Sequence, residues 1–442
     1  MIRQSGTHQR RWWVATTCLS LIAAFSSSHA ANALQISTFT PAGLLAWSNA
    51  LAPGIVTVES ASSASSSYWS PLQNAYSITA TGKIDLALAS ADQFFRVRAV
   101  DVFPTTTGFS NLIEAYGLLE TLAGDGVGRT DGVSYWQPQF EGGPGASASL
   151  SRPHYAMADR VGNIYIVDKN SHSVLRVGTN GTIHTHAGTH EGGFNGEGPA
   201  TATTLQLNFP NALWVRGDGT AYVLDTDNGR VRRVTTNGVM STLFLADSGG
   251  DPLNGGRMLW VRDNETLAYF GNETRIRRWT PANGVQTLAS GFMELGTFYV
   301  EPGGDLIVAD RGGHRVYRVT PGGTRTILAG NGTISGGGDG FPALQTGLNG
   351  PRGVWPVPTG GHLLLLHDGC QLWYLDTGGI LRLLLNGAGG NTHGGDGDYF
   401  YDPSQLKISE GRSVAMDYQG NILVCDSDYG FIRRIRFQRV SN

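Results

Sequence analysis

Three arginines, a histidine and an asparagine fall in one column when the internal repeats of this chain are set in register. The column reads His154, Asn211, Arg257, Gly296, Arg352 and Arg412. In each repeat it stands at the start of a short apolar strand, where the innermost strands of a closed ring of sheets converge on the axial mouth. Planar guanidiniums match carboxylate and phosphate oxygens bidentately. His154, Asn211, Arg257, Arg352 and Arg412 are therefore candidate ligand-binding residues for a carboxylate, a phosphate or an acidic side chain. The structural alternative is a set of solvated arginines on a ring rim.

Other polar patterns are weaker candidates. Asp168, Asp225, Asp310 and Asp426 recur at the end of one strand per repeat, ahead of a Gly/Asn turn. A task performed once per repeat points to capping of backbone N–H groups rather than catalysis. His367 and Gly271 take that place in two degenerate repeats; such a substitution can mark a site, with drift the favoured reading. His184 and His186 lie two apart on a strand, with His190 and Glu191 beyond. Such spacing suits zinc, but this is an outer strand, away from the axis. The loop 225–229 (DTDNG) lacks the later ligands of a calcium loop. The chain has neither a Gly-x-Ser-x-Gly elbow nor a Walker-type loop.

The elements that would position the arginine column are repeats. Segment 162–168 (GNIYIVD) recurs at 219–225 (GTAYVLD), 304–310 (GDLIVAD) and 420–426 (GNILVCD), with degenerate copies at 265–271 and 361–367. Each is followed by a second strand, as in 230–234 (RVRRV), then a Gly turn and a third, as in 323–330 (GTRTILAG). With the strand before each Gly, every unit supplies four short strands. Units of this kind are propeller blades, because one such sheet cannot bury both faces alone. The sixth unit stops at 431–436 (FIRRIR) without a fourth strand, and a matching orphan, 117–124 (GLLETLAG), precedes the first. The expected fold is all-β: a six-bladed β-propeller closed by an N-terminal strand and preceded by a small β-sandwich-like domain.

A Pro before the first strand, Gly-Asn-Ile-Tyr-Ile-Val-Asp, the Arg-rich 230–234 and a Leu-Ala-Gly ending together resemble the NHL repeat. Loops 336–343 (GGGDGFPA) and 395–397 (GDG) resemble that family's inter-blade stretch. The resemblance spans 117–442 and implies a fold, with little bearing on activity; Pro351-Arg352-Gly353 is ordinary consensus within it. Six-bladed relatives include gluconolactonase-like hydrolases and peptidyl-hydroxyglycine lyases that bind a metal near the axis. Their sites imply several His or carboxylate ligands there. Here only His154 and Asn211 qualify, and Ala156, Leu213, Leu259, Phe298, Val354 and Val414, expected deeper along the axis, are apolar. The expectation is a binding or interaction module with no cofactor. Its partner would be a protein, a glycan or a small anionic ligand, at the axial mouth or on inter-blade loops bearing Tyr135, Trp136, Tyr399, Phe400 and Tyr401. A metal-dependent hydrolase or lyase is the alternative.

Residues 34–104 differ from the repeats. They are Ser/Ala-rich, with alternating runs such as 54–60 (GIVTVES) and a final 93–100 (QFFRVRAV). That pattern suits a small β-sandwich, and Phe-Phe-Arg-Val-Arg resembles the last strand of fibronectin-like modules in exported bacterial proteins. Residues 105–116 read as a linker. Residues 1–33 read as a signal peptide: Arg3, Arg10 and Arg11, an apolar stretch, then Ala31-Asn32-Ala33 as a cleavage site, with Ser28-His29-Ala30 as the alternative. The expected location is secreted, periplasmic or cell-envelope.

Composition agrees with many short strands: 62 glycines among 442 residues and 15% charged residues. A net charge of −3 provides no basic field for nucleic acid. No stretch beyond the signal is long and apolar enough to span a membrane. Cys370 and Cys425 remain in the mature chain and are expected to be free thiols.

Overall fold

Each Gly-x-Ile-x-Val-Asp motif forms the second strand of an antiparallel sheet, and these strands are buried along their whole length. Ile164–Asp168, Ala221–Asp225, Leu306–Asp310 and Ile422–Asp426 are examples. The computed structural model describes residues 108–438, except 128–129, 248–251, 254, 358–359, 390–392 and 428–429. Before these it describes 2–3, 13–14, 34–40, 43–48, 54–61, 63–65, 70–77, 81–86 and 94–100. Apart from two-residue strands at Ile2–Arg3 and Trp13–Val14, the signal-like stretch lies outside the described residues.

Six sheets of four or five strands follow one another along the chain. We number them as blades 1 to 6. Their inner strands are Pro153–Ala158, Pro210–Val215, Met258–Val261, Leu295–Val300, Pro351–Pro356 and Gly411–Met416. Successive inner strands touch in cyclic order, the sixth meeting the first. Phe431–Phe437 in blade 6 pairs antiparallel with Tyr116–Ala123, Ile435 opposite Leu119.

The core is divided into six apolar clusters, one between each pair of neighbouring blades. Side chains alternate across a strand, so each blade contributes one face to each neighbour. This corrects one expectation. Ala156, Leu213, Leu259, Phe298, Val354 and Val414 do not line the axis. They lie in six different inter-blade cores, because the inner strand presents an edge, not a face, to the centre.

The recurrent aspartates serve the fold. Asp168 Oδ1 accepts from Ser151 N at 2.7 Å, Asp225 Oδ1 from Asn208 N at 2.7 Å, and Asp426 Oδ1 from Ser409 N at 3.0 Å. Asp310 Oδ1 accepts from Met293 N and Glu294 N, both at 3.1 Å. Each carboxylate thus ties the end of the second strand to the loop that enters the first. Buried arginines hold the inter-blade loops that lead into their own blades. Arg433 Nη1 donates to Lys407 O at 2.9 Å and Nη2 to Gly394 O at 2.8 Å, while Arg277 donates to Ala246 O and Pro252 O, both at 3.1 Å.

Segment 105–116, expected as a linker, carries the helix Gly108–Ala115. Its Leu112 and Ala115 are buried in the blade 5/6 core, an amphipathic spacing too short to stand out in the sequence. N-terminal to it, Gly54–Ala61 lies between Ser70–Ser77 and Phe94–Val100 in one sheet, and Leu44–Ser48 between Gln35–Phe39 and Gly82–Asp85 in another. Leu45, Trp47, Val56, Val58, Leu86, Phe95 and Val97 form a shared core. Among the described residues, no helix is long and apolar enough to cross a membrane.

Candidate functional site

The arginine column converges, and it is buried rather than solvated. His154, Asn211, Arg352 and Arg412 are 5%, 4%, 4% and 5% exposed. Each sits one residue into its inner strand, where the pairing register shifts, as between Pro153 and Tyr155 and between Pro351 and Gly353. His154 Nδ1 is hydrogen-bonded to Asn211 Oδ1 across blades 1 and 2. Gly296 fills the remaining place for a steric reason. A Cβ there would lie 2.3 Å from Arg352 O and 2.6 Å from Arg352 Cα, so only glycine lets the blade 5 strand approach this closely.

The three arginines differ in their partners. Arg257 Nη2 meets Glu294 Oε1 at 3.2 Å and Glu273 Oε1 at 3.5 Å. Arg412 Nε donates to Ser427 Oγ at 3.0 Å. Among the described residues, the Arg352 guanidinium has neither a hydrogen bond nor an ion pair. Burial, then the fields of Arg412, Arg257 and Arg311, pull its pKa well below the guanidinium value, with Glu294 acting the other way. A buried charge without a counterion is costly, and an entering anion removes that cost.

The same positive field reaches His154. Burial first, then Arg412, Arg352, Lys169 and Arg257, push its pKa well below normal, so the imidazole is neutral. With Nδ1 bonded to the Asn211 carbonyl oxygen, Nδ1 carries the proton. Nε2 is then a bare acceptor, buried and without a partner. Beside Asn211, a polar hollow of about 360 Å³ is lined by Lys169, Asp131, Phe209, Thr226 and Asp227. Lys169 follows the blade 1 aspartate; its position outside the inner strands hid it from the repeat alignment.

His367 gains meaning from its surroundings. It occupies, in blade 5, the place held by aspartate in four other blades. Nδ1 is 3.0 Å from Gly411 O and Nε2 is 3.1 Å from Glu410 Oε2. Burial and the fields of Arg352, Arg412 and Arg311 lower its pKa. The blade whose column residue is Arg352 is therefore a blade that lacks the repeating carboxylate.

The remaining candidates scatter. His184 Nδ1 meets Glu141 Oε1 at 2.9 Å, His186 packs edge-on to Tyr165 at 4.8 Å, and His190 stacks on Trp136 at 4.8 Å. Among the described residues, no group of three or more His, Cys, Asp or Glu side chains could hold a metal ion. Of the loop aromatics, Phe400 and Trp136 are core residues of the blade 5/6 and 6/1 clusters, whereas Tyr399 remains exposed. Cys370 and Cys425 are free and buried.

No protein-family model matches the chain, and no curated protein sequence is similar to it. Solved structures are similar in fold. A protein of unknown function from Bacteroides thetaiotaomicron superposes with a TM-score of 0.55 at 12% identity, over 93% of this chain and 100% of that one. An auxiliary nutrient binding protein from the same organism gives 0.53 at 14% identity, over 91% and 97%. One from Bacteroides ovatus gives 0.52 at 13% identity, over 90% and 94%. The chain shares the all-β, propeller-type architecture of these bacterial structures.

Proposed function

We propose that this chain is an exported ligand-binding propeller that takes a small anionic molecule at the arginine-lined end of its axis. In this reading, 34–104 is a β-sandwich-like accessory domain and 117–442 a six-bladed NHL-type ring closed by strand Tyr116–Ala123. The basic-then-apolar N-terminus supports export to the periplasm, the cell envelope or the medium. The observation that carries the binding function is Arg352, 4% exposed and without a counterion among the described residues. Arg412 and Arg257 flank it, and neutral His154 offers Nε2 as an acceptor for a hydroxyl. A hydroxylated carboxylate or a sugar phosphate matches both groups. The Bacteroides structures described as auxiliary nutrient binding proteins are consistent with a ligand-binding role.

The test is a thermal melt of the full chain with phosphate, citrate, glucuronate and glucose 6-phosphate, followed by calorimetry. A ligand at about a hundred times its Kd stabilises by about 2.7 kcal/mol, a shift of several degrees. One or more anions are expected to raise the melting temperature of the native chain and not of the Arg352→Met variant. A flat response to all four in the native chain contradicts the proposal.

A further inference from the structure

The opposite end of the axis has a different chemistry. Three residues beyond the arginine column, the inner strands carry Met157, Trp214, Trp260, Tyr299, Trp355 and Ala415. Trp355 packs against three inter-blade cores at once, so its indole reaches across the ring. Tyr299 meets it edge-on at 5.0 Å. Facing these rings is the N-terminal three-stranded sheet. There Trp47, 3% exposed, lies over Gly82, where a Cβ would come within 2.5 Å of the indole. Between them is a cavity of about 670 Å³, within the roughly 300–1,000 Å³ usual for small-molecule sites.

The lining combines aromatic faces with unsatisfied edges. Nε1 of Trp47 and Nε1 of Trp214 are buried with no hydrogen-bond partner. Among the described residues, the hydroxyls of Tyr299 and Tyr418 make no hydrogen bond either. The charges balance, with Lys83 and Arg160 against Glu301 and Asp417. Both carboxylates are already engaged: Glu301 with Arg318 at 3.2 Å, Asp417 with Asn421 Nδ2 at 2.7 Å. A cation therefore finds no free carboxylate here, and the formal charge of the lining sums to zero. A wholly apolar guest would leave the two tyrosine hydroxyls unpaired, each at a cost of about 1–3 kcal/mol. A pyranose offers apolar C–H faces to the rings and hydroxyls to their edges, the combination that amphipathic Trp and Tyr favour.

We propose that this cavity is a second binding site, for a neutral oligosaccharide. Trp355 and Trp214 are the stacking platforms. The hydroxyls of Tyr299 and Tyr418 donate to sugar hydroxyls. The site lies at the far end of the axis from Arg352 and does not depend on the anion site.

Intrinsic tryptophan fluorescence of the full chain, titrated with cellotriose, maltotriose, xylotriose and mannotriose, tests this directly. At least one sugar is expected to give a saturable change. Trp355→Ala should weaken its Kd about tenfold or more. Tyr299→Phe, which keeps the ring and removes one hydroxyl, should weaken it about threefold to tenfold. Arg352→Met should leave sugar binding unchanged, so failure here is separable from failure of the anion site. Silence across the four sugars overturns the proposal. So does sugar binding that is indifferent to both Trp355→Ala and Tyr299→Phe.

Discussion

His154 and Asn211 are joined side chain to side chain across the first two blades, imidazole Nδ1 to amide Oδ1, at the centre of the ring. The bond sets the tautomer and leaves Nε2 unprotonated in a positive field. Arg352, nearby, is its electrostatic complement: a donor fork without an acceptor. In the proposed function this pair takes the anion at Arg352 and a hydroxyl at His154.

Arg352 is expected to serve ligand binding at the expense of stability. Replacing it with methionine keeps the length and removes the unpaired charge. The variant should be about 1–4 kcal/mol more stable to urea than the native chain. It should also lose any anion-induced gain in melting temperature. A destabilised variant would mean that Arg352 is paired structurally.

His367→Asp returns blade 5 to the residue of its sister blades. The new carboxylate would stand in the field of Arg352, Arg412 and Arg311. Anion affinity measured by calorimetry should fall about tenfold, with the melting temperature unchanged or raised. Unaltered affinity would show that the aspartate-to-histidine change is mere drift.

Leu119 tests the join between the two ends of the propeller. It is fully buried, opposite Ile435, whereas Leu118 beside it is 42% exposed. Leu119→Ala should cost about 2–5 kcal/mol in urea unfolding, and Leu118→Ala no more than about 0.5 kcal/mol. Equal effects would mean that this strand does not complete blade 6.

Acidification should destabilise the chain well above the carboxylate range. Burial lowers the pKa of His186, His190 and His393 to about 4, against 6.5 in an unfolded chain. His154, His172 and His367 are also lowered. Between pH 6.5 and 4 the unfolded state therefore binds more protons, and stability is lost as pH falls through that window. Asp225 and Asp417, raised to about 6 by burial, and Asp227 and Asp310, also raised by burial, act in the opposite sense, but six imidazoles outnumber these four. The melting temperature should decline steadily from pH 7 to pH 4.5. A flat or rising profile would show that the aspartates dominate.

Sequence alone determined the blade pattern, because every blade solves the same local problem. A short strand buried on both faces must read as Ile-Tyr-Ile-Val or Leu-Ile-Val-Ala, and its closing Asp caps a loop in the four copies that keep it. The arginine column was legible for the same reason, since one register places one residue per blade at the centre. Three things were not legible. The helix Gly108–Ala115 is short, and its apolar face acquires meaning only against blades 5 and 6. The aromatic column stands just three residues past the arginines, yet apolar residues in a strand look alike whether they fill a core or line a cavity. Last, Arg257, Arg352 and Arg412 are equivalent by repeat, but Glu294 and Glu273 reach only the first of them. Which charge is left unpaired depends on distances across the axis between residues far apart in the chain. A repeat period carries no record of those distances, and only the tertiary structure decided it.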